Sequence, residues 1–288
     1  MDQAEKLRTL LNKKNTPKKS ESMRVISVTS GKGGVGKTNF ALNLAIFMAR
    51  SNKRVVVIDA DFGLANIEVL LGVRPEYSFK EVLSRQVTIA EALTLGPEGV
   101  NFLSGGSGLT QLADISESQM SVLLEGLHQL EEMTDILIID TGAGISKAVT
   151  NFLKASHEII VVTTSDPTAI ADAYTIMKVI SEDNPEPPQL KVVINRIDSQ
   201  KEGEEVFSRL YKVCDRFLNI SPLNLGNILY DKNLIRAVKA QEPVALLYPH
   251  TESSRNIETI SKTLLNQPLP QRTALKNFVD RWLSFMRD

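Results

Sequence analysis

Five short runs in this chain are apolar on both faces: RVISVTS (24–30), RVVVIDAD (54–61), DILIIDTG (135–142), EIIVVTTSD (158–166) and LKVVINR (190–196). A strand with one wet face alternates apolar and polar residues. Runs like these belong instead inside a sheet covered on both sides. The stretches between them have helical lengths, as right-handed βαβ crossovers require. A shorter run, VNFLSGG (100–106), predicts a further strand. The pattern predicts an α/β fold, a mostly parallel twisted β-sheet flanked by helices on both faces. Ligands of such sheets bind beyond the carboxyl ends of the strands, where these runs carry Ser, Asp, Gly and Asn.

Three regions follow one another. The body spans residues 23–266. Ahead of it, residues 1–11 place Ala4, Leu7 and Leu11 at helical spacing, and NKKNTPKKSES (12–22) carries four lysines and no hydrophobic residue, as a solvated linker does. Behind it, QPLPQ (267–271) breaks the chain before a last helical pattern, TALKNFVDRWLSFMRD (273–288). On a helical wheel Leu275, Phe278, Val279, Trp282, Leu283, Phe285 and Met286 fall within an arc of about 160°. A tethered helix with this apolar face and a partly basic opposite face fits an anionic membrane surface; packing against the body is the alternative. No apolar stretch approaches about 18 residues, so nothing is expected to span a bilayer. The N-terminus lacks the apolar core of a secretory signal, so the chain is expected to be cytosolic, with membrane contact peripheral. One cysteine, Cys214, excludes a disulfide framework and a thiolate metal site within one chain. The net charge of −1 hides an asymmetry: residues 1–20 carry six Lys/Arg against two Asp/Glu, residues 272–288 four against two, leaving −7 on the rest.

Directly after the first apolar run comes Gly31-Lys32-Gly33-Gly34-Val35-Gly36-Lys37-Thr38, followed by a helical run that opens at Asn39. This is G-x-x-x-x-G-K-[ST] in its strand–loop–helix setting, the signature of a P-loop NTPase. The glycines let backbone N–H groups close around phosphate oxygens, and the helix start adds its positive dipole end. Lys37 reaches the β/γ-phosphates and the Thr38 hydroxyl ligates Mg²⁺ in such a loop. The second apolar run ends in Asp59-Ala60-Asp61, two carboxylates on one side of an extended segment. They can serve phosphoryl transfer or cap the following turn. The third ends in Asp140, a Walker B carboxylate placed to hold Mg²⁺ through water, followed by Thr141-Gly142-Ala143-Gly144.

Lys32, beside the first glycine, is the departure from a plain phosphate loop. The form KGGVGKT resembles the deviant Walker A loop of the MinD/ParA family of dimerising ATPases, in the SIMIBI class. That resemblance implies that Lys32 crosses to the partner's nucleotide while Lys37 acts on its own. The stretch 59–66 is similar to the family's D-x-D-x-G-L-x-N, which implies that Asp61 orients or activates the attacking water and Asp59 supports Mg²⁺. DTGAG resembles the family's second switch, with a backbone N–H near Gly144 following the γ-phosphate.

The base is read at Asn195-Arg196-Ile197-Asp198, one residue from the guanine motif N-K-x-D. In MinD-like ATPases an Asn at this strand end reads adenine, and a later I-P-x-D loop closes over it. Here that loop is Ile228-Leu229-Tyr230-Asp231, without the proline. ATP is the better match, and GTP stays open.

The N-terminal Asp2-Gln3-Ala4-Glu5-Lys6-Leu7-Arg8 looks like the D-Q-A-x-x-L-R segment of the family's flagellar branch, the number regulators FlhG, YlxH and FleN. That resemblance implies that Gln3, Leu7 and Arg8 dock on the flagellar SRP-type GTPase, FlhF, and stimulate it. It further implies flagellar C-ring proteins as partners, and a homodimer that cycles on and off the membrane with ATP. A DNA-partitioning ATPase of the ParA kind would share the nucleotide site but needs a basic surface, which the acidic body argues against. An iron-protein relative needs two cluster cysteines per subunit, and this chain has one.

Overall fold

The computed structural model describes residues 23–61, 66–106, 117–182 and 188–267. The segment 1–22 with Gln3, Leu7 and Arg8, residues 62–65 of the D-x-D-x-G-L-x-N stretch, and the helix expected over 273–288 lie outside the described residues.

The first half of the chain runs β1 (Arg24–Thr29), α1 (Lys37–Arg50), β2 (Val55–Ala60), α2 (Asn66–Leu71), α3 (Phe79–Leu83), α4 (Ile89–Ala92), β3 (Thr94–Leu95) and β4 (Asn101–Leu103). Next come α5 (Glu117–Met133), β5 (Ile136–Thr141), α6 (Lys147–Ala155), β6 (Glu158–Thr163) and α7 (Pro167–Ser181). The last part is β7 (Gln189–Ile197), α8 (Gln200–Leu218), β8 (Leu223–Leu229), α9 (Lys232–Lys239), α10 (Val244–Leu247) and α11 (Glu252–Asn266). The strands form one eight-stranded sheet in the order β3-β4-β2-β5-β1-β6-β7-β8, parallel except for β3 on β4.

Alternation along each strand feeds two layers. Ile26, Val28, Val57, Ile138 and Ile160 pack with α1 and α11 on one face. Val25, Val56 and Ile139 meet α3–α6 on the other, and Val161, Val192 and Ile194 meet α7 and α8. Each apolar run of the sequence is a central strand here because both of its faces are buried. The strand at 223–229 was not among those expected. LNLGNIL has two asparagines and a glycine, residues that sheets disfavour, and as an edge strand it needs only one packed face. Gly226 at φ +149 accompanies a register shift against β7 and leaves room for Ile260, whose Cγ1 would lie 2.7 Å from a Cβ there.

The amino ends of β1, β6 and β7 are joined by buried charge. Arg24 grips both carboxylate oxygens of Glu158, at 2.6 and 2.7 Å, and donates to the Leu264 carbonyl at 2.7 Å. Lys191 also donates to Glu158 and, at 2.6 Å, to Gln267 Oε1. Burial alone would raise the Glu158 pKa, but the two cations outweigh it and hold the carboxyl below its ordinary range. Burial likewise lowers the Lys191 pKa, against the pull of Glu158. Removing one partner of a buried ion group strands the others without water. Glu158→Gln is therefore expected to lose about 3–5 kcal/mol in urea unfolding. A loss below about 1 kcal/mol would show the cluster to be no stronger than a surface pair.

Candidate nucleotide site

The loop 31–38 sits at the carboxyl end of β1, where the order of the sheet reverses between β5 and β6. Gly36 precedes α1 at φ +94 and supplies no side-chain cap, so the first N–H groups of a 14-residue helix face the loop unblocked by a side chain. A Cβ at Gly36 would lie 2.5 Å from Asn195 Nδ2. Gly31 is pressed on α7: a Cβ there would lie 2.3 Å from the Asp172 carbonyl carbon. Both positions exclude any larger residue.

Strand register builds the floor. β2 pairs with β5 so that Asp59 lies opposite Asp140, and both are buried. Lys37 Nζ pairs with Asp140 Oδ1 at 2.7 Å, while Asp140 Oδ2 has no hydrogen-bond partner among the described residues. Burial raises the Asp140 pKa, opposed by Lys37 and by the nearby Thr38 hydroxyl. Burial and the charge of Asp140 push Asp59 up to about 7, against the backbone N–H groups it accepts from and the attraction of Lys37. Asp59 caps α2: Oδ1 accepts from the Asp61 N–H at 3.1 Å, and Oδ2 from those of Asn66 and Ile67 at 3.0 and 3.3 Å. The capping alternative therefore describes Asp59 in this conformation. An orphaned carboxylate oxygen beside a hydroxyl and a second carboxylate is the donor set a Mg²⁺ ion takes, so these residues fit that ion.

Above the floor opens a cavity of about 860 Å³. Its wall includes Gly33, Gly34, Gly36, Lys37, Thr38, Asn39 and Asp61 at the phosphate end, and Asn195, Arg196 and Asp231 at the other. Gly31, Lys32, Val35 and Gly144 do not line it, and Asp59 and Asp140 lie beneath it. Gly144, at φ +93, donates its N–H to Ser30 O at 3.0 Å, so the segment after β5 is bonded directly to the residue that opens the phosphate loop. Asn195 Nδ2 donates to Val35 O at 2.8 Å, and the bulge after it puts Arg196 at φ +60. Asp198, which a guanine reading needs at the base, is exposed and lies outside the cavity wall. Asp231 is the N-cap of α9, accepting from Asn233 N at 2.8 Å and Ser253 Oγ at 2.7 Å.

Two features were not singled out from sequence. Asn66 Nδ2 donates to Asp61 Oδ2 at 3.0 Å, tying the carboxylate that faces the cavity to the start of α2. The base end of the cavity is walled by Val69 and Leu70 of α2 and Leu234, Ile235 and Val238 of α9. The amphipathic spacing of KNLIRAVK after Asp231 carried that signal. Lys32 turns out of the cavity to the start of α7, donating to Thr168 Oγ1 at 2.8 Å and to Asp166 Oδ2 at 3.3 Å.

Residues 26–244 match the model of the CobQ/CobB/MinD/ParA nucleotide binding domain. The chain belongs to this family. It is 36% identical over 261 residues to the antiactivator FleN of Pseudomonas aeruginosa, covering 90% of this chain and 93% of that one. It is 33% identical to the flagellum site-determining protein YlxH of Helicobacter pylori, with 99% of each chain covered. Among solved structures, MinD in the MinC:MinD complex of Aquifex aeolicus superposes with a TM-score of 0.68 at 24% identity, over 86% of this chain and 98% of that one. MinD of Pyrococcus horikoshii, solved with Mg-ADP, gives 0.69 at 21% over 88% and 99%. These two likenesses show the fold, a MinD/ParA-type P-loop NTPase. The chain is an ATPase of this family, and ATP with Mg²⁺ is its ligand.

Because Asp59 is held near pKa 7, the free protein carries a proton there below that pH. A divalent cation beside Asp140 favours the ionised form and displaces that proton. Affinity for magnesium nucleotide is expected to fall as pH drops from about 8 to about 6, with proton release in calorimetry across buffers of different ionisation enthalpy. A flat affinity with no proton release would contradict this assignment.

Proposed function

We propose that this chain is an ATP-driven dimerising switch that sets flagellar placement and number, and cycles on and off the membrane. One observation carries the dimer: Lys32, 47% exposed, points away from the cavity of its own subunit, held by exposed bonds to Thr168 and Asp166 that a partner's phosphates can replace. The name of the relative YlxH, a flagellum site-determining protein, supports the placement role. The segment 1–11 is the proposed contact with the flagellar SRP-type GTPase, C-ring proteins are further partners, and 273–288 is the proposed contact with anionic membrane. Among the described residues no helix is long and apolar enough to cross a bilayer.

Phosphoryl transfer needs positioning and charge neutralisation more than covalent chemistry. The loop 31–38 cradles the phosphates, and Lys37 exchanges its bond with Asp140 for the β- and γ-oxygens. Lys32 of the partner subunit adds the second positive charge. Thr38, and through water Asp140 with Asp59 behind it, would hold Mg²⁺, which would supply charge neutralisation at the phosphates. Asp61, steered by Asn66 at 3.0 Å, orients the attacking water. The Gly144 N–H trades Ser30 O for the γ-phosphate, so the switch segment reports whether that phosphate is present. Asn195, Arg196 and Asp231 line the remaining length of the cavity, where the adenosine would lie.

Asp61→Ala is expected to lower turnover at least about 100-fold and to accumulate as an ATP-bound dimer in light scattering. A monomer at saturating ATP would overturn the switch. Deleting 273–288 should abolish sedimentation with anionic vesicles while sparing nucleotide binding; unchanged sedimentation would remove the membrane role from that segment.

A further inference from the structure

The turn after β6 lies beside the loop 31–38, because β1 and β6 pair in parallel with Thr29 opposite Val161. Its residues Asp166-Pro167-Thr168 start a helix: Asp166 is the N-cap of α7 and Pro167 opens the first turn. The two carboxylate oxygens of Asp166 have different partners. Oδ1 accepts from the Thr168 N–H and hydroxyl, both at 2.8 Å, and Oδ2 accepts from Lys32 Nζ at 3.3 Å. The Thr168 hydroxyl oxygen also accepts from Lys32, at 2.8 Å. The bonds from Thr168, and after them the bond and charge of Lys32, hold the Asp166 carboxyl below the usual carboxylate range, so it is ionised at neutral pH. Gly31 is pressed on the backbone of Asp172 in the same helix, which fixes where the Lys32 side chain starts.

We infer that Asp166 and Thr168 are positioning residues that hold Lys32 back in the free subunit, and so set the protein concentration at which nucleotide-bound subunits pair. The inference rests on the dimer reading above and adds a cost to it. Two of the three ammonium N–H groups of Lys32 are engaged on α7. The side chain cannot lie along α7 and in a partner's cavity at once, so each subunit gives up these bonds when it pairs. Lys32 and Asp166 are each about half exposed, and an exposed pair of this kind contributes up to about five-fold. A symmetric dimer forms only when both lysines have left α7. The factor therefore enters the dimerisation constant squared, up to about 25-fold. A partner's triphosphate, with several negative charges against the one of Asp166, overcomes such a hold.

The test is analytical ultracentrifugation of the full chain with magnesium and a nonhydrolysable ATP analogue, comparing T168V, D166N and D166N/T168V with the unaltered chain. Valine keeps the shape of threonine without its oxygen, and asparagine keeps a cap for α7 without the charge. Each single variant is expected to dimerise more tightly, and the double variant about 4- to 25-fold more tightly. With ATP, the protein concentration at half-maximal turnover should fall by a similar factor. Turnover at saturating protein, and the affinity of the monomer for nucleotide, should stay as they are. An unchanged dimerisation constant in all three variants overturns the inference and leaves the dimer reading intact. A weaker dimer would place the two residues in contact with the partner, and a gain confined to D166N would be a general charge effect; either overturns it. So does a loss of nucleotide affinity, which would make them supports of the loop itself. An unaltered chain that stays monomeric overturns the dimer reading together with the inference.

Discussion

Asp59 and Asp140 face each other across β2 and β5, buried, with Lys37 as the cation that meets Asp140. Two carboxylates this close in a dry floor cannot both stay ionised on the strength of one lysine. The structure relieves the conflict by raising Asp59 to about 7 and by spending that carboxylate on the backbone of α2. The surroundings follow from this. The start of α2 is fixed by Asp59, Asn66 is thereby fixed beside Asp61, and Asp61 is left facing the cavity against Gly142, whose missing Cβ would lie 3.3 Å from its carboxylate. A cation in the floor would complete the charge balance, and Asp59 would then link it to the start of α2.

Two poles result. At the carboxyl ends of the strands, the loop rides on α7 at Gly31, and the signature lysine is held at the first turn of that same helix. At the amino ends, two cations share one carboxylate, and Arg24 also takes up the Leu264 carbonyl near the end of α11. The first pole holds the cavity. The second ties Arg24, at the start of β1, to Leu264 directly and to Gln267 by way of Glu158 and Lys191.

Much of the site was legible because phosphate chemistry forces residue types at fixed spacing. Gly33, Gly34, Gly36, Lys37, Thr38 and Asp61 come together at one end of the cavity, with Asp140 buried close to Lys37, since a strand followed by a helix leaves the loop only one place to be. Asp198 was not legible in the same way. Its spacing from Asn195 matched a guanine reader, but the bulge at Arg196 sends it out of the cavity, and no local pattern reports a bulge. The edge strand Leu223–Leu229 escaped notice because its asparagines and glycine carry no strand preference of their own.

The sequence by itself determined the layered parallel sheet, the phosphate loop and the family, because burial on both faces and backbone closure around phosphate each admit few residues. Only the tertiary structure decided which carboxylate caps a helix and which faces the cavity, since Asp59 and Asp61 are the same residue type two positions apart. It also decided that Lys32 leaves its own cavity and that Arg24 meets Leu264. These last two facts depend on contacts between residues more than a hundred positions apart, and only packing brings such residues together.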